Sequence, residues 1–149
     1  MPSTYIIQTG QFLGPDGALV GTCYAGHPPH VNDVTAVGIR NSGPLPPGQY
    51  RMLAPIDDPH TVGPFAIPLA PLPDPVDPTS PFGWLLNRSG FYIHGDLIEA
   101  KMHPEEASDG CIVPTTLPDG SGNGRAVREA IAAIAQQDDV LNVETGATT

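Results

Sequence analysis

The chain of 149 residues is 40% apolar and 15% charged, and it contains 19 prolines and 17 glycines. Its size suits one domain with a buried core, which we expect to span 1–149 with a tail at 144–149. The net charge of −10 comes with only six Lys and Arg residues. This argues against nucleic acid and anionic membranes as partners, because binding to either needs clustered cations.

Short segments rich in β-branched and aromatic residues recur along the chain and predict strands. These segments lie at 4–9, 18–24, 35–40, 49–53, 87–93, 111–113 and 140–143. The Gly-Pro-Asp-Gly sequence at 14–17 is a strong turn signal and predicts a hairpin between the first two segments. Residues 54–81 carry a proline every two to four positions from residue 64 onward, which predicts an irregular loop packed over the domain.

One segment, 125–137, has the apolar periodicity of a helix. Val127, Ile131 and Ile134 recur at a spacing of three or four residues, so their side chains share one face. The predicted fold class is therefore mainly β, with proline-rich loops and one α-helix in the C-terminal half at about 125–137.

The first residues, MPSTYIIQTGQF, contain neither a basic start nor a long apolar stretch. We therefore expect no signal peptide of the usual kind and synthesis in the cytoplasm. No stretch approaches the roughly 20 apolar residues that a membrane span requires, so no membrane insertion is expected. Two cysteines are too few for a disulfide framework.

The residues with the clearest chemistry border two apolar segments separated by a polar loop. His94 and Gly95 follow the first segment, and Ser108, Gly110 and Cys111 lead into the second. A thiol attacks a carbonyl only as a thiolate, so it needs a base or a positive neighbour. A histidine at the end of one strand can provide that base for a cysteine at the start of the adjacent strand.

The residues around the cysteine suit this chemistry. Gly110 permits a sharp turn, so the amides of Gly110 and Cys111 can face a developing oxyanion, and Ser108 can cap the turn. Tyr92 alternates with His94 and shares its face, where it can contact substrate or pack beneath the site. A cysteine alone is more often a buried apolar residue, as we expect for Cys23, but the joint pattern favours catalysis.

This pattern resembles the L,D-transpeptidase (YkuD-like) catalytic domain, whose signature is His-Gly, a variable loop and Ser/Thr-His-Gly-Cys. The wider sequence is similar to the type VI secretion branch of L,D-transpeptidase-like effectors. It shares a Tyr-x-x-x-Thr-Gly hairpin at 5–10, an Asn-x-Gly-Pro-x-Pro-x-Gly-x-Tyr turn at 41–50 and a helix that begins Arg-x-x-Arg at 125–128. The resemblance implies a β-sandwich or curled sheet.

The resemblance also implies a reaction on peptidoglycan stem peptides that needs no cofactor. Cys111 would attack the carbonyl of the third stem residue, a diamino acid, and release D-Ala. His94 would be the base, oriented by the backbone carbonyl of Gly95 or else by Asp96, and the Gly110 amide would contact the oxyanion. Transfer to water makes the enzyme an L,D-carboxypeptidase, and transfer to an amine makes it an L,D-transpeptidase.

Further implications concern substrate binding and location. Asp109 stands where the ordinary family has histidine and is expected near the substrate. Arg125 is the best match to the family's substrate-binding arginine, and Arg128 is the second. An effector injected into a competitor would act in its periplasm without an export signal of its own, and its acidity would suit a basic immunity protein as partner.

Three other interpretations compete with this one. A papain-like peptidoglycan amidase also uses Cys and His, but there the cysteine begins a helix, whereas Cys111 is predicted to begin a strand. A metal site could use His94, Asp96, His103 and Cys111, although no ligand pair occurs at the short spacing typical of such sites. The third is a catalytically silent β-domain that acts as an adaptor or binding module.

Overall fold

The computed structural model describes residues 2–37, 39, 42–58, 63–72, 91–95 and 110–146. Nine strands occur in these residues: β1 Ser3–Ile6, β2 Gln11–Leu13, β3 Leu19–Ala25, β4 Gly48–Met52, β5 Ile56–Asp58, β6 Gly63–Leu72, β7 Tyr92–Ile93, β8 Ile112–Thr116 and β9 Val140–Glu144. The described part of the chain has one α-helix, α1 Gly124–Ala135, and a 3₁₀ turn at Val34–Ala36.

The strands form a single sheet in the order β4-β9-β1-β2-β3-β8-β7-β6-β5. Strand β4 also pairs with β6, so eight strands close on themselves and β5 extends from β6. The β1–β9 and β7–β8 pairs are parallel, and the other pairs are antiparallel. The prediction of a mainly β fold with one helix is confirmed.

The core lies between the closed sheet and one face of α1. Its members are mostly aromatic and branched side chains with no exposed surface, including Tyr5, Phe12, Tyr50, Ile67, Ile93, Ile112 and Leu141. Helix α1 adds the buried side chains of Val127 and Ile131 to this cluster. A Cβ at Gly21 would lie 2.7 Å from Cγ1 of Val127, so this glycine allows the helix to pack closely against β3.

The turn predicted at 14–17 is present, but the strand that precedes it in the hairpin is not the predicted strand at 4–9. Gly17 donates its N–H to the Gly14 carbonyl at 2.9 Å, but β3 pairs across this turn with β2, and β2 pairs with β1. The chain reverses earlier than expected because Gly10, at φ 77°, donates its N–H to Ile6 and closes a tight turn there. The predicted strand at 4–9 therefore ends early: β1 stops at Ile6, and β2 begins only at Gln11, beyond the predicted range.

The strand predicted at 35–40 is wrong in its described part. Asp33 accepts a hydrogen bond from the Thr35 N–H at 3.0 Å and caps the 3₁₀ turn at Val34–Ala36. A capping side chain offers the backbone an alternative to the sheet ladder, and this local bond outweighs the β-branched composition.

The irregular loop predicted at 54–81 is also wrong in its described part, because β5 and β6 lie there. Strand β6 accommodates Pro68 because the strand that pairs with one of its edges changes there, while the other edge pairs with β7. Met52 of β4 pairs with Leu69, and Ile56 of β5 pairs with Ala66, so Pro68 lies at the junction between the two ladders. A missing N–H is least costly at such an interruption. None of the described helices is long and apolar enough to span a membrane.

Candidate active site

The parallel pair β7–β8 brings the predicted catalytic segments together. Ile93 pairs with Ile112, and the His94 N–H donates to the Ile112 carbonyl at 3.0 Å. Both isoleucines are fully buried and anchor the two strands in the core. Cys111 immediately precedes β8 and His94 immediately follows the two-residue strand β7, so both lie close to the same Ile–Ile pair.

His94 is held in one orientation by its own turn. Its Nδ1 lies 2.9 Å from the carbonyl oxygen of Gly95. Because a carbonyl only accepts, this bond requires a proton on Nδ1, and the neutral ring then carries its lone pair on Nε2. The side chain is 6% exposed. The imidazole is thus arranged to accept a proton at Nε2.

Cys111 carries a thiol that is not in a disulfide. It is 9% exposed, and its Sγ lies 3.3 Å from the backbone nitrogen of Tyr92, which donates to it. A donor directed at sulfur stabilises the anionic form relative to the neutral one. The residue therefore combines a buried position with a donor suited to a thiolate.

Cys23 provides the contrast within the same chain. It lies in β3, is 3% exposed and belongs to the core cluster. Burial raises the pKa of the Cys23 thiol well above its usual value of 9.0. A buried thiol of this kind is inert as a nucleophile, and the two cysteines are not joined by a disulfide.

Gly110 adopts a backbone conformation that residues with side chains rarely reach. Its φ is 130°, which favours glycine. The Gly110 carbonyl accepts a hydrogen bond from the Leu45 N–H at 2.9 Å. In a trans peptide the carbonyl and the following N–H point in opposite directions. Leu45 thus fixes one side of the peptide that joins Gly110 to Cys111.

Leu45 belongs to the stretch Ser42–Pro47, which we call the 42–47 segment. The segment is held at both ends. The Ser42 carbonyl accepts the His27 N–H at 2.6 Å, and the Pro46 carbonyl accepts the buried Tyr50 hydroxyl at 2.7 Å. Leu45 itself is fully buried. The proline-rich turn noted in the sequence is therefore a rigid support beneath the cysteine.

The two candidate arginines have different surroundings. The guanidinium carbon of Arg125 lies 4.5 Å from the centroid of the Phe65 ring, and its Nε lies 3.8 Å from a Glu129 oxygen. The Arg125 side chain is about half exposed. Arg128 is 1% exposed and donates from Nε to the Phe65 carbonyl at 3.2 Å. Arg125 is thus accessible to a ligand, whereas Arg128 lies inside the fold.

Phe65 connects both arginines to the sheet. It lies in β6 at φ 53°, an uncommon conformation for a residue of its size. Its N–H donates to the Asp57 carboxylate at 2.8 Å. Backbone outliers held by several neighbours often occur near functional sites.

The structure brings together Tyr92, His94, Gly95, Gly110 and Cys111. Ser108 and Asp109, together with Asp96 and His103, lie outside the described residues. In the described part of the chain, no three His, Cys, Asp or Glu side chains are grouped closely enough to hold a metal ion.

Sequence reasoning missed two supporting residues. Leu45 acts through its backbone, so its side chain type gives no indication of a role. The only signal in the sequence was its position within the Gly-Pro-x-Pro turn. Phe65 was hidden in a segment predicted to be a loop. Neither role is visible without the tertiary contacts.

Comparison with protein families matches residues 20–119 to the Tlde1 domain, which is 100 of the 149 residues. This range runs from the second residue of β3 to beyond the end of β8 and therefore includes every residue of the candidate site except the arginines of α1. A search of curated proteins gave no significant match. The chain belongs to the Tlde1 domain family, the type VI secretion L,D-transpeptidase effectors that act on peptidoglycan.

Proposed function

We propose that this protein is a cysteine enzyme that cleaves tetrapeptide stems of peptidoglycan between the third residue, a diamino acid, and the terminal D-Ala. The arrangement that carries the proposal is His94, fixed by Gly95 in the tautomer whose lone pair is on Nε2, next to the strand that directly follows Cys111. Family membership supports peptidoglycan as the substrate class.

The first half-reaction forms a thioester. His94 Nε2 accepts the Cys111 proton, and the thiolate attacks the carbonyl carbon of the third stem residue. The tetrahedral oxyanion is stabilised by the amides of Gly110 and Cys111. When the intermediate collapses, the carbon–nitrogen bond breaks, and protonated His94 transfers its proton to the D-Ala amine.

The second half-reaction releases the acyl group. With water as acceptor, His94 removes its proton, oxygen bonds to the acyl carbon, and the Cys111 thiolate leaves. The product is a tripeptide stem, and the enzyme acts as an L,D-carboxypeptidase. With the amine of a D-amino acid or of a neighbouring stem as acceptor, the same steps complete an L,D-transpeptidation. Both outcomes regenerate the free enzyme.

Three residues are proposed to contact the substrate around this centre. Tyr92 lies on β7, two residues before His94, and is partly exposed, and Asp109 stands next to Gly110 in sequence. The half-exposed guanidinium of Arg125 can bind the carboxylate of the terminal D-Ala. Ser108 is proposed to cap the turn before the nucleophile.

The location of the substrate defines where the enzyme acts. Tetrapeptide stems are donors for cell-wall cross-links, so trimming or capping them in the periplasm of a target bacterium makes the protein toxic there. We propose that the producing cell holds an immunity protein, and the net charge of −10 suits a basic surface on that partner.

The test is mass spectrometry of muropeptides incubated with purified wild-type, Cys111→Ala or Cys23→Ala protein. We expect the wild type to convert tetrapeptides to tripeptides or to exchange D-Ala for another D-amino acid. Cys23→Ala should retain this activity, because its thiol is buried in the core, and Cys111→Ala should lose it. Turnover by Cys111→Ala at the wild-type rate would refute the proposal.

The competing interpretations predict other products. A papain-like amidase would cut between the sugar and the stem, but Cys111 directly precedes a strand here and α1 begins only at Gly124. A catalytically silent adaptor would leave the muropeptides unchanged with all three proteins. The same digest therefore separates the three functions.

A further inference from the structure

We propose that the backbone N–H of Tyr92 is a catalytic donor that stabilises the Cys111 thiolate, and that the Leu45 N–H enables this by holding the Gly110 carbonyl out of the β7–β8 ladder. The inference rests on the proposed function only in taking Cys111 as the nucleophile. It assigns roles to two main-chain groups, one on a strand and one in the 42–47 segment.

The hydrogen-bond pattern of parallel strands leads to this inference. In a parallel ladder, alternate N–H groups of one strand donate to alternate carbonyls of its neighbour. His94 follows the rule, since its N–H donates to the Ile112 carbonyl at 3.0 Å. Two residues earlier, the same rule pairs the Tyr92 N–H with the Gly110 carbonyl. That bond is replaced in the structure.

The replacement involves both expected partners. The Gly110 carbonyl accepts from Leu45 at 2.9 Å, and the Tyr92 N–H donates to Cys111 Sγ at 3.3 Å. A φ of 130° at Gly110 turns its carbonyl toward the 42–47 segment, and only glycine reaches this angle without strain. The sulfur therefore occupies the place of a ladder acceptor.

This exchange favours the reactive form of the cysteine. A neutral thiol is a weak acceptor, whereas a thiolate accepts strongly, so the Tyr92 donor lowers the free energy of the anion more than that of the thiol. The donor belongs to the backbone of a strand anchored by the fully buried Ile93. It is therefore in place before substrate binds, and no reorganisation is required.

Leu45 can hold the carbonyl because the 42–47 segment is rigid. The Tyr50 hydroxyl donates to the Pro46 carbonyl at 2.7 Å, and the His27 N–H donates to the Ser42 carbonyl at 2.6 Å. A Cβ on Gly43 would collide with the Ala36 carbonyl oxygen, so this turn also packs without spare space. Leu45 is thus a positioning residue that acts through Gly110.

Other titratable groups near Cys111 must be separated from this effect. In the described elements that pair with or pack against β8, they are Tyr92 on β7 and His94 directly after it, Cys23 and Tyr24 on β3 with His27 after it, and Arg125, Arg128 and Glu129 on α1, while the 42–47 segment contributes none. A substitution of any of these side chains would change the field at the sulfur. The test therefore leaves every side chain in place and alters single backbone N–H groups.

The experiment replaces the amide by an ester at Tyr92, at Leu45 or at both, through incorporation of the matching α-hydroxy acid. Each ester removes one N–H, keeps the side chain and makes the preceding carbonyl a weaker acceptor, so the control is an ester at a residue remote from Cys111. The rate of Cys111 alkylation by iodoacetamide is followed against pH by peptide-resolved mass spectrometry. Alkylation needs a thiolate but neither an oxyanion site nor a stem peptide, so it reports on the proposed donor alone.

We expect the Tyr92 ester to alkylate about tenfold more slowly at neutral pH and its pH profile to move up by about one unit. The Leu45 ester should show a similar shift, because the released Gly110 carbonyl recaptures the Tyr92 N–H. The double ester should show no further shift, since both changes remove one interaction. An ester at Met52 is the control, because it removes an N–H that donates to the backbone carbonyl of Asp139 at 2.7 Å. Its alkylation rate and pH profile should match those of the wild type.

A wild-type profile for the Tyr92 ester would overturn the proposal, and a shift only at Tyr92 would overturn the role of Leu45. If the Tyr92 ester does not fold, the amide resonance of Tyr92 in ¹⁵N-labelled wild type decides. As the pH is varied, the chemical shift of this resonance in wild type should change with the same midpoint as the alkylation rate, whereas in Cys111→Ala it should stay constant. A constant chemical shift in wild type would refute the contact. Failure of stem cleavage would contradict the proposed function but would leave these results standing.

Discussion

Arg128 and Phe65 are joined by a hydrogen bond of 3.2 Å from the arginine Nε to the phenylalanine carbonyl oxygen, and the arginine is 1% exposed. The bond connects α1 to β6 at a residue whose φ is 53°. A buried guanidinium must be matched by acceptors, because an unmatched charge in the core is costly. Arg128 thus belongs to the architecture of the site, and Arg125 remains the candidate for substrate binding.

Arg128→Ala should lower the free energy of unfolding by about 2–4 kcal/mol, because it leaves a cavity and removes the donor to the Phe65 carbonyl. Urea denaturation measures the loss. Arg125→Ala is the matched control from the same helix. Its side chain is about half exposed, so its unfolding free energy should stay within about 0.5 kcal/mol of the wild type. Equal losses in the two variants would contradict this assignment.

Arg125→Ala should instead affect substrate binding. Loss of a charge-assisted contact with the D-Ala carboxylate should raise KM about tenfold and leave kcat within about twofold. Steady-state kinetics with a purified tetrapeptide stem measures both constants. Arg125→Lys should recover part of KM, since a lysine supplies charge without the planar fork. An unchanged KM in Arg125→Ala would remove this residue from the binding site.

His94→Ala should reduce kcat by about 10²–10⁴-fold, because neither the thiol nor the leaving amine then has its proton carrier. Release of D-Ala from tetrapeptide measures the loss. His30→Ala is the control, since that ring contacts Asp33 at 3.2 Å in the loop after β3, and it should leave kcat unchanged. If His94→Ala kept the wild-type rate, another group would have to be the base.

Alkaline pH should destabilise the fold through two buried groups. Burial raises the pKa of the Cys23 thiol above 9.0, and burial, followed by the nearby Cys23, raises the pKa of Tyr5 above 10.0. Because these pKa values are raised in the folded state, the folded chain keeps both groups neutral at a pH where the unfolded chain ionises them. The resulting contribution to the free energy of unfolding is complete below the pKa values of the unfolded chain. It is lost as pH rises toward the folded ones, because the unfolded chain releases protons first.

Urea denaturation from about pH 8 to about pH 10 should show this loss, at a slope approaching about 1.4 kcal/mol per pH unit for each group. Cys23→Ala should start less stable and show the smaller slope above pH 9.0, the usual value for its thiol. Both proteins should carry Cys111→Ala, so that the second thiol does not contribute. Identical slopes would show that Cys23 titrates alike in the folded and unfolded chains.

Part of the fold was predictable because its signals are local. The Gly-Pro-Asp-Gly turn at 14–17, the strand at 140–143 and the periodic helix at 125–137 all have counterparts in the structure. Turn chemistry and the 3.6-residue period depend on neighbouring residues alone. In the same way, His94 and Cys111 could be proposed as partners because each borders a strongly apolar strand.

Other elements depend on contacts between residues that are far apart in the chain. These elements could not be predicted from the sequence. Strand β6 accommodates Pro68 because β4 and β5 share one of its edges, with Pro68 between their ladders. The parallel β1–β9 pair and the β4–β6 pair complete the closed sheet. No local pattern encodes such pairings, since their hydrogen bonds join segments far apart in the chain.

The amino-acid sequence by itself determined a mainly β protein with one helix and a His-Gly and Ser-x-Gly-Cys pair, because side-chain type and short spacing suffice for these. Tertiary structure alone decided which backbone groups surround Cys111, that Arg128 is buried while Arg125 is half exposed, and that the 42–47 segment contacts Gly110. The reason is physical: main-chain N–H and C=O groups are the same in every non-proline residue, so only folding determines which of them meet.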